Sequence, residues 1–210
     1  MNRILIFILL IINTECFCQD EKSNEILQQL SINTKTYKNI DVDFNYNFEN
    51  ITESINEKQK GNIKIKGNEF RLELDQQIII SNDTTHWIYL KESNELQIME
   101  YDSLDEMISP NKIFTIYEKG YKNNYVELKN ENGLSLHIID LFPIESNSFQ
   151  KIQLQINSEK IQLHNIILFD KNGGSFTYLI TKFTSDADLD NNLFKFNTEE
   201  YPEIEIIDLR

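Results

Sequence analysis

The side chains that could do chemistry are few. Three histidines are present, His86, His137 and His164, on separate predicted strands. None has a carboxylate or a second histidine at metal-ligand spacing, so each reads as an ordinary strand residue and no metal site is expected. Asp186, Asp188 and Asp190 alternate like the start of a calcium loop, but Asn191 and Asn197 stand where that loop needs Gly and a bidentate Glu. An acidic, solvated loop is the simpler reading, and the Glu199-Glu200 and Glu203/Glu205 pairs read as a wet edge. There is no G-x-S-x-G elbow, no P-loop and no G-x-G-x-x-G, so hydrolase and nucleotide chemistry lack a frame. Asn50-Ile51-Thr52 and Asn82-Asp83-Thr84 match a glycosylation sequon, a pattern short enough to arise by chance. No enzyme activity and no cofactor is expected.

Both cysteines, Cys16 and Cys18, fall in an N-terminal address. Arg3 supplies a positive charge, and residues 4–12 are nine unbroken apolar residues. A membrane-spanning helix needs about 20, so this run reads as a signal-peptide core with cleavage before Gln19. Glu15 and Phe17 precede the cysteines where a lipid-attachment motif wants small residues, which argues against acylation. The expected organisation is a removed signal peptide over 1–18 and one exported domain over 19–210. That domain has no thiol, so its stability must come from burial.

The elements that remain must bury apolar surface. Asp20 or Ser23 can cap an opening helix whose Ile26, Leu27, Leu30 and Tyr37 share a stripe. The period then changes to two. Val42, Phe44, Tyr46 and Phe48 alternate with Asp and Asn, which marks a half-buried antiparallel strand. The alternation returns at Ile63 and Ile65, at Phe70, Leu72 and Leu74, at Trp87 and Tyr89, and at Leu96 and Ile98. Residues 78–80 form a short apolar run. Turns fall at Gly67-Asn68, Asn82-Asp83 and Ser93-Asn94. A capping-box pattern over 103–106 and the Ser109-Pro110 helix start lead to a second helix with Ile113, Phe114 and Tyr117 on one stripe, ended by Gly120. Further strands are expected over 125–128, 134–138, 152–156, 161–169 and 176–183, then a short Phe194-Lys195-Phe196 element.

The fold class is therefore mainly β with some α. About ten or eleven antiparallel strands suggest one long curled sheet, a barrel or half-barrel, with the helices against its open mouth or inner face. The formal charge of -14, from 20 basic and 34 acidic residues, excludes a backbone-tracking nucleic-acid binder. Apolar residues make up 40% of the chain. For each of them the simpler reading is that it fills a core; the alternative is that a sheet this long encloses more space than its own side chains fill and holds an apolar ligand.

The order of these pieces resembles LolA-type outer-membrane lipoprotein carriers in their Bacteroidetes form. The similarity runs from the first helix through Gly61-x-Ile63-x-Ile65, Lys66-Gly67-Asn68-Glu69-Phe70 and Ser81-Asn82-Asp83-Thr84-Thr85-His86-Trp87-Ile88-Tyr89. It continues through Ser109-Pro110-x-x-Ile113-Phe114-x-x-Tyr117 to Phe194-x-Phe196 and the Tyr201–Arg210 end. The resemblance implies an incomplete barrel under an α-helical lid, working as a monomer in the periplasm. It implies acylated outer-membrane lipoproteins as cargo, an inner-membrane lipoprotein-releasing ABC transporter as donor and an outer-membrane acceptor. The implied ligand-binding residues are Phe44, Phe48, Ile63, Ile65, Phe70, Leu72, Leu74, Trp87 and Tyr89 from the sheet, with Leu30, Ile113, Phe114 and Tyr117 from the lid. Lys66 stands where the family has an Arg, and Lys lacks the planar fork that bonds several carbonyls at once. A second reading stays open beside the carrier: a relative that binds another lipid or an apolar small molecule. Phe70→Glu is expected to abolish binding while the sheet still folds.

Overall fold

The computed structural model describes residues 15–100, 110–145 and 148–210, with side chains described from residue 21. The signal segment over 1–14, the capping-box pattern over 103–106 and Ser109 lie outside the described residues.

Helix α1 (Glu15–Thr36) opens the chain. Asp20 and Ser23 lie inside this helix, not at its cap. Ser23 is fully buried and heads the stripe that Ile26, Leu27 and Leu30 continue. Six strands follow: β1 (Asn39–Asn50), β2 (Ile55–Lys66), β3 (Glu69–Leu74), β4 (Gln77–Ser81), β5 (Thr85–Leu90) and β6 (Glu95–Glu100). The expected second helix is instead two short 3-10 turns, Pro110–Phe114 and Ile116–Glu118. Beyond Gly120, whose φ of +86° turns the backbone out of the helix, come β7 (Tyr121–Glu131), β8 (Leu134–Pro143), β9 (Phe149–Asn157), β10 (Gln162–Asp170) and β11 (Gly174–Ser185). Phe194-Lys195-Phe196 is not a strand: Phe194 ends a 3-10 turn, Asn191–Phe194. The chain finishes with β12 (Glu205–Asp208), where only a wet edge was expected.

Among the described residues, twelve strands form one sheet in the order β12-β6-β5-β4-β3-β2-β1-β11-β10-β9-β8-β7. β12 and β7 stand at its ends, so the sheet is open. Every neighbouring pair is antiparallel except β12–β6. The hairpin turns follow the sequence signals: Asn132 and Gly133 both take positive φ, as a two-residue turn between twisted strands requires.

Residues directly opposite across a ladder share a face. One face carries Ile40, Val42 and Phe44 of β1, opposite Ile65, Ile63 and Gly61 of β2, which lie opposite Phe70, Leu72 and Leu74 of β3. On the other half the same face carries Ile166 of β10, opposite Leu154 of β9 and Tyr178 of β11. Helix α1 and both middle turns lie on this inner face. There Ile26, Leu27, Leu30, Phe114 and Tyr117 join the strand residues in one large buried cluster.

Candidate functional site

The inner face is where the largest apolar cluster of the described residues lies under α1 and the two middle turns. The sheet supplies Ile40, Val42, Phe44, Ile63, Ile65 and Phe70, all buried, with Leu72 and Leu74 partly buried beside them. Phe44 lies so close over Gly61 that a Cβ there would sit 2.3 Å from its ring. Only glycine leaves room for that ring at the centre of the face.

The cover is held by side chains. Apolar contact comes from the Ile26, Leu27 and Leu30 stripe. Polar bonds then hold both ends of α1. Near its start, Ser23 Oγ donates to Asn123 Oδ1, Asn123 Nδ2 donates to Asn24 Oδ1 at 2.9 Å, and the Lys22 ammonium sits 4.1 Å from the centre of the Tyr125 ring. Near its end, Ser31 Oγ donates to Glu118 Oε1 at 2.6 Å, Lys35 pairs with the same carboxylate at 2.9 Å, and Asn33 Nδ2 donates to the Ile161 carbonyl at 3.3 Å. Burial by itself would raise the Glu118 carboxyl, but hydrogen bonds from Ser31 and Lys35 and the charges of Lys35 and Lys119 outweigh it and hold it low. Tyr117, under α1, is pushed up to about 12 by burial. His137 accepts or donates at 3.2 Å to the Tyr125 hydroxyl and is lowered by burial and then by the Lys22 charge.

Two clefts open near this face. The smaller, about 190 Å³, lies between the end of α1 (Thr34, Lys35, Tyr37) and Ile40, Ile65 and Phe114. Ligand pockets usually run to about 300–1,000 Å³, so this cleft is smaller than an ordinary ligand chamber. The larger, about 590 Å³, is walled by Asp43, Asn45, Lys60, Asn62, Glu73 and Asp75, with Phe44, Gly61 and Leu74 at its edge. Most of its lining is polar or charged.

The fourteen residues named from sequence divide into groups. Leu30, Phe44, Ile63, Ile65, Phe70, Leu72, Leu74, Ile113, Phe114 and Tyr117 gather in the cluster between sheet and cover. Phe48 lies further along β1 and stacks on Phe176 at 4.7 Å. Trp87 and Tyr89 are elsewhere. They lie opposite Ile80 and Ile78, which lie opposite Arg71 and Glu73, so they occupy the outer face. There they pack with Leu96, Ile98, Phe196, Tyr201 and Ile204 in a second cluster. Lys66 lies outside the cluster between sheet and cover: its ammonium donates to Asn191 Oδ1, in the turn Asn191–Phe194. Phe70 is fully buried, so Phe70→Glu would strand a charge in the core and unfold the protein rather than test binding.

Sequence reasoning missed most of the inner face beyond β3. Tyr125, Ile139, Leu141, Ile152, Leu154, Ile156 and Ile166 are buried there, and their period-two alternation with polar residues was the available signal. The other suspected sites resolve into structure. Asp190 caps a 3-10 turn, and Asp186 Oδ1 accepts from the Lys38 backbone N–H at 2.8 Å. Asn50 and Asn82 accept backbone N–H groups in their turns. No cluster of three or more metal-ligating side chains occurs among the described residues. No described helix is long and apolar enough to cross a membrane.

Solved structures share this architecture at low sequence identity. An uncharacterized conserved protein from Thermus thermophilus matches with a TM-score of 0.58 and 12% identity, over 89% of this chain and 99% of that one. LprF from Mycobacterium bovis matches at 0.52 and 11%, over 82% and 96%. A DUF1329 family protein from Desulfovibrio piger matches at 0.50 and 10%, over 84% and 97%. These likenesses establish the fold. No curated protein matches the chain. The family model described as outer membrane lipoprotein carrier protein LolA matches residues 22–197, from the start of the α1 stripe to the last turns before β12, and the chain belongs to that family.

Proposed function

We propose that this protein carries the acyl chains of lipoproteins between the inner face of its sheet and α1. The observation that carries the reading is the pairing of a broad apolar face with a cover that, among the described residues, is held by its side chains. An acyl chain in water loses about 0.8 kcal/mol for every CH₂ left unburied, so three chains need a complete apolar sleeve. The side chains of α1 supply one wall of that sleeve and strands β1–β3 the other. The 190 Å³ cleft is too small for cargo, so loading requires α1 to swing away from the sheet. No step of this cycle makes or breaks a covalent bond.

The setting proposed with this reading is the periplasm, reached through cleavage of residues 1–18, with 19–210 as one monomeric carrier domain. Cargo would come from an inner-membrane ABC transporter and pass to an acceptor at the outer membrane. The test is to isolate the protein from the periplasm under mild conditions and identify what co-purifies by mass spectrometry. Acylated lipoprotein is the expected result. Free fatty acid or phospholipid alone would replace the lipoprotein reading with a carrier of simple lipids. Turnover of an ester panel would overturn the assignment as a carrier.

A further inference from the structure

Ser81 ends β4 on the inner face. It lies opposite Phe70 on one side and His86 on the other, in a row that runs Ile65–Phe70–Ser81–His86 across four strands. Ser81 is 0% exposed, and His86 beside it is 2% exposed. The Ser81 hydroxyl oxygen has no hydrogen-bond partner among the described residues. A strand serine usually spends its hydroxyl on a backbone carbonyl or on water, and an orphaned buried hydroxyl destabilises the fold. This one sits where the apolar face changes character. Ile40, Ile65 and Phe70 lie to one side of it, and Ser81 and His86 are the first polar groups of the row.

We infer that the Ser81 hydroxyl is a hydrogen-bond donor for the carbonyl oxygen of an acyl ester whose alkyl chain lies along Phe70, Ile65 and Ile40. The inference rests on the carrier reading above and names the chemical group that reading leaves unspecified. A neutral carbonyl fits better than a carboxylate or a phosphate. The cations of β2 and β3 nearest in sequence, Lys64, Lys66 and Arg71, all belong to the opposite face. There Lys64 pairs with Asp41 at 3.5 Å, Lys66 meets Asn191, and Arg71 pairs with Glu73 at 2.5 Å. A buried anion beside Ser81 would have no counter-charge from these strands. An ester carbonyl needs one donor and no charge.

Two ligands of equal length separate the possibilities: methyl palmitate carrying a ¹³C carbonyl, and octadecane. Each is titrated against the full-length protein by displacement of 1-aminoanthracene, and the ester carbonyl is followed by isotope-edited infrared spectroscopy. Wild-type protein should bind the ester about fivefold more tightly than the alkane, the value of one ordinary hydrogen bond. Its carbonyl band should shift to lower frequency. Ser81→Ala should remove the ester's advantage and the band shift, leave alkane binding unchanged, and keep or raise Tm. Equal binding of ester and alkane by the wild type, with an unshifted carbonyl, would overturn the role of Ser81 while leaving an apolar carrier intact. A lowered Tm for Ser81→Ala would mean that the hydroxyl has an internal partner, and would also overturn it. Failure of both ligands to displace the probe would remove the carrier reading itself, and Ser81 with it.

Discussion

Each face of this sheet carries a covered apolar patch, broad on the inner face and confined to β4–β6 on the outer, and the two covers are built differently. On the outer face the C-terminal tail brings Phe196, Tyr201 and Ile204 onto Trp87, Tyr89 and Ile98. Its rings pack closely, with Tyr89 and Tyr201 centred 4.5 Å apart and Phe196 stacked on Tyr201 at 4.7 Å. Backbone bonds then bind it to the sheet: β12 pairs in parallel with β6, Glu205 N–H donates to the Asn94 carbonyl at 3.0 Å, and Leu209 N–H donates to the Ile98 carbonyl at 2.8 Å. On the inner face α1 satisfies its backbone within itself, and among the described residues it meets the sheet through its side chains. A cover in the ladder is part of the sheet; a cover on side chains can leave while the sheet stays whole. The two covers are therefore expected to differ in permanence, the outer one staying in place and the inner one able to exchange.

The sharpest test removes the permanent cover. Ending the chain after residue 200 deletes Tyr201, Ile204 and β12 and exposes the outer cluster. Stability by urea unfolding should fall by about 3–5 kcal/mol, the value of two or three buried apolar side chains. A truncated protein of unchanged stability would erase the distinction between the faces. Next is Leu30→Ala, which removes a fully buried contact of α1. Its cost should be about 2–4 kcal/mol, with increased hydrogen exchange concentrated in α1. Exchange rising equally through β1 and β11 would show that α1 is not separable.

A matched pair reads the two faces by function. Leu72→Glu places a charge on the partly open inner face and should cost at least tenfold in acyl-probe binding. Trp87→Ala should lower stability by about 1–3 kcal/mol and leave binding unchanged. The reverse pattern would put cargo on the outer face.

The smallest effect is on pH. His137 is held below its ordinary value of 6.5, so the unfolded or undocked chain takes up a proton first as pH falls. Docking of α1 should be firm above about 6.5 and weaken progressively below it. Glu118, held below its ordinary 4.5, adds a second loss in more acidic solution, because its clasp to Ser31 and Lys35 needs the carboxylate. Hydrogen exchange of α1 followed from pH 8 to 4 should show both steps. Glu118→Gln should abolish the lower step alone, at a cost of about 0.5–1 kcal/mol.

Much of this was legible in the residues. Ile26, Leu27 and Leu30 stated the helical stripe, and period-two alternation found β1, β2 and β3 with the correct residues inward. The failure at Trp87 and Tyr89 has a local cause. Ile78, Ile79 and Ile80 of β4 are apolar on both faces, so the run erases the phase of the alternation just before Asn82, Asp83 and Thr84 turn the chain. Nothing local then tells β5 which face its Trp belongs to. The parallel pairing of β12 depends on β6, more than a hundred residues earlier, and short segments carry no trace of such a partner. The middle stripe of Ile113, Phe114 and Tyr117 was read correctly as apolar, but its span is too short to stabilise α-helix, and the tighter 3-10 form took its place.

The strand order also governs how the molecule comes into being. β1 sits mid-sheet and pairs with β11, joining Ile40 to Ser185 and Asn50 to Gly174. The two meanders, β1 to β6 and β7 to β11, can each assemble from neighbouring hairpins. The seam between them must wait until residue 185 has been made, and closing so long a loop is entropically costly. Folding should therefore be slow and late, with two half-sheets formed before they join. A circular permutant that links the native termini and opens the chain between β6 and β7 would bring β1 and β11 closer in sequence, and should refold measurably faster.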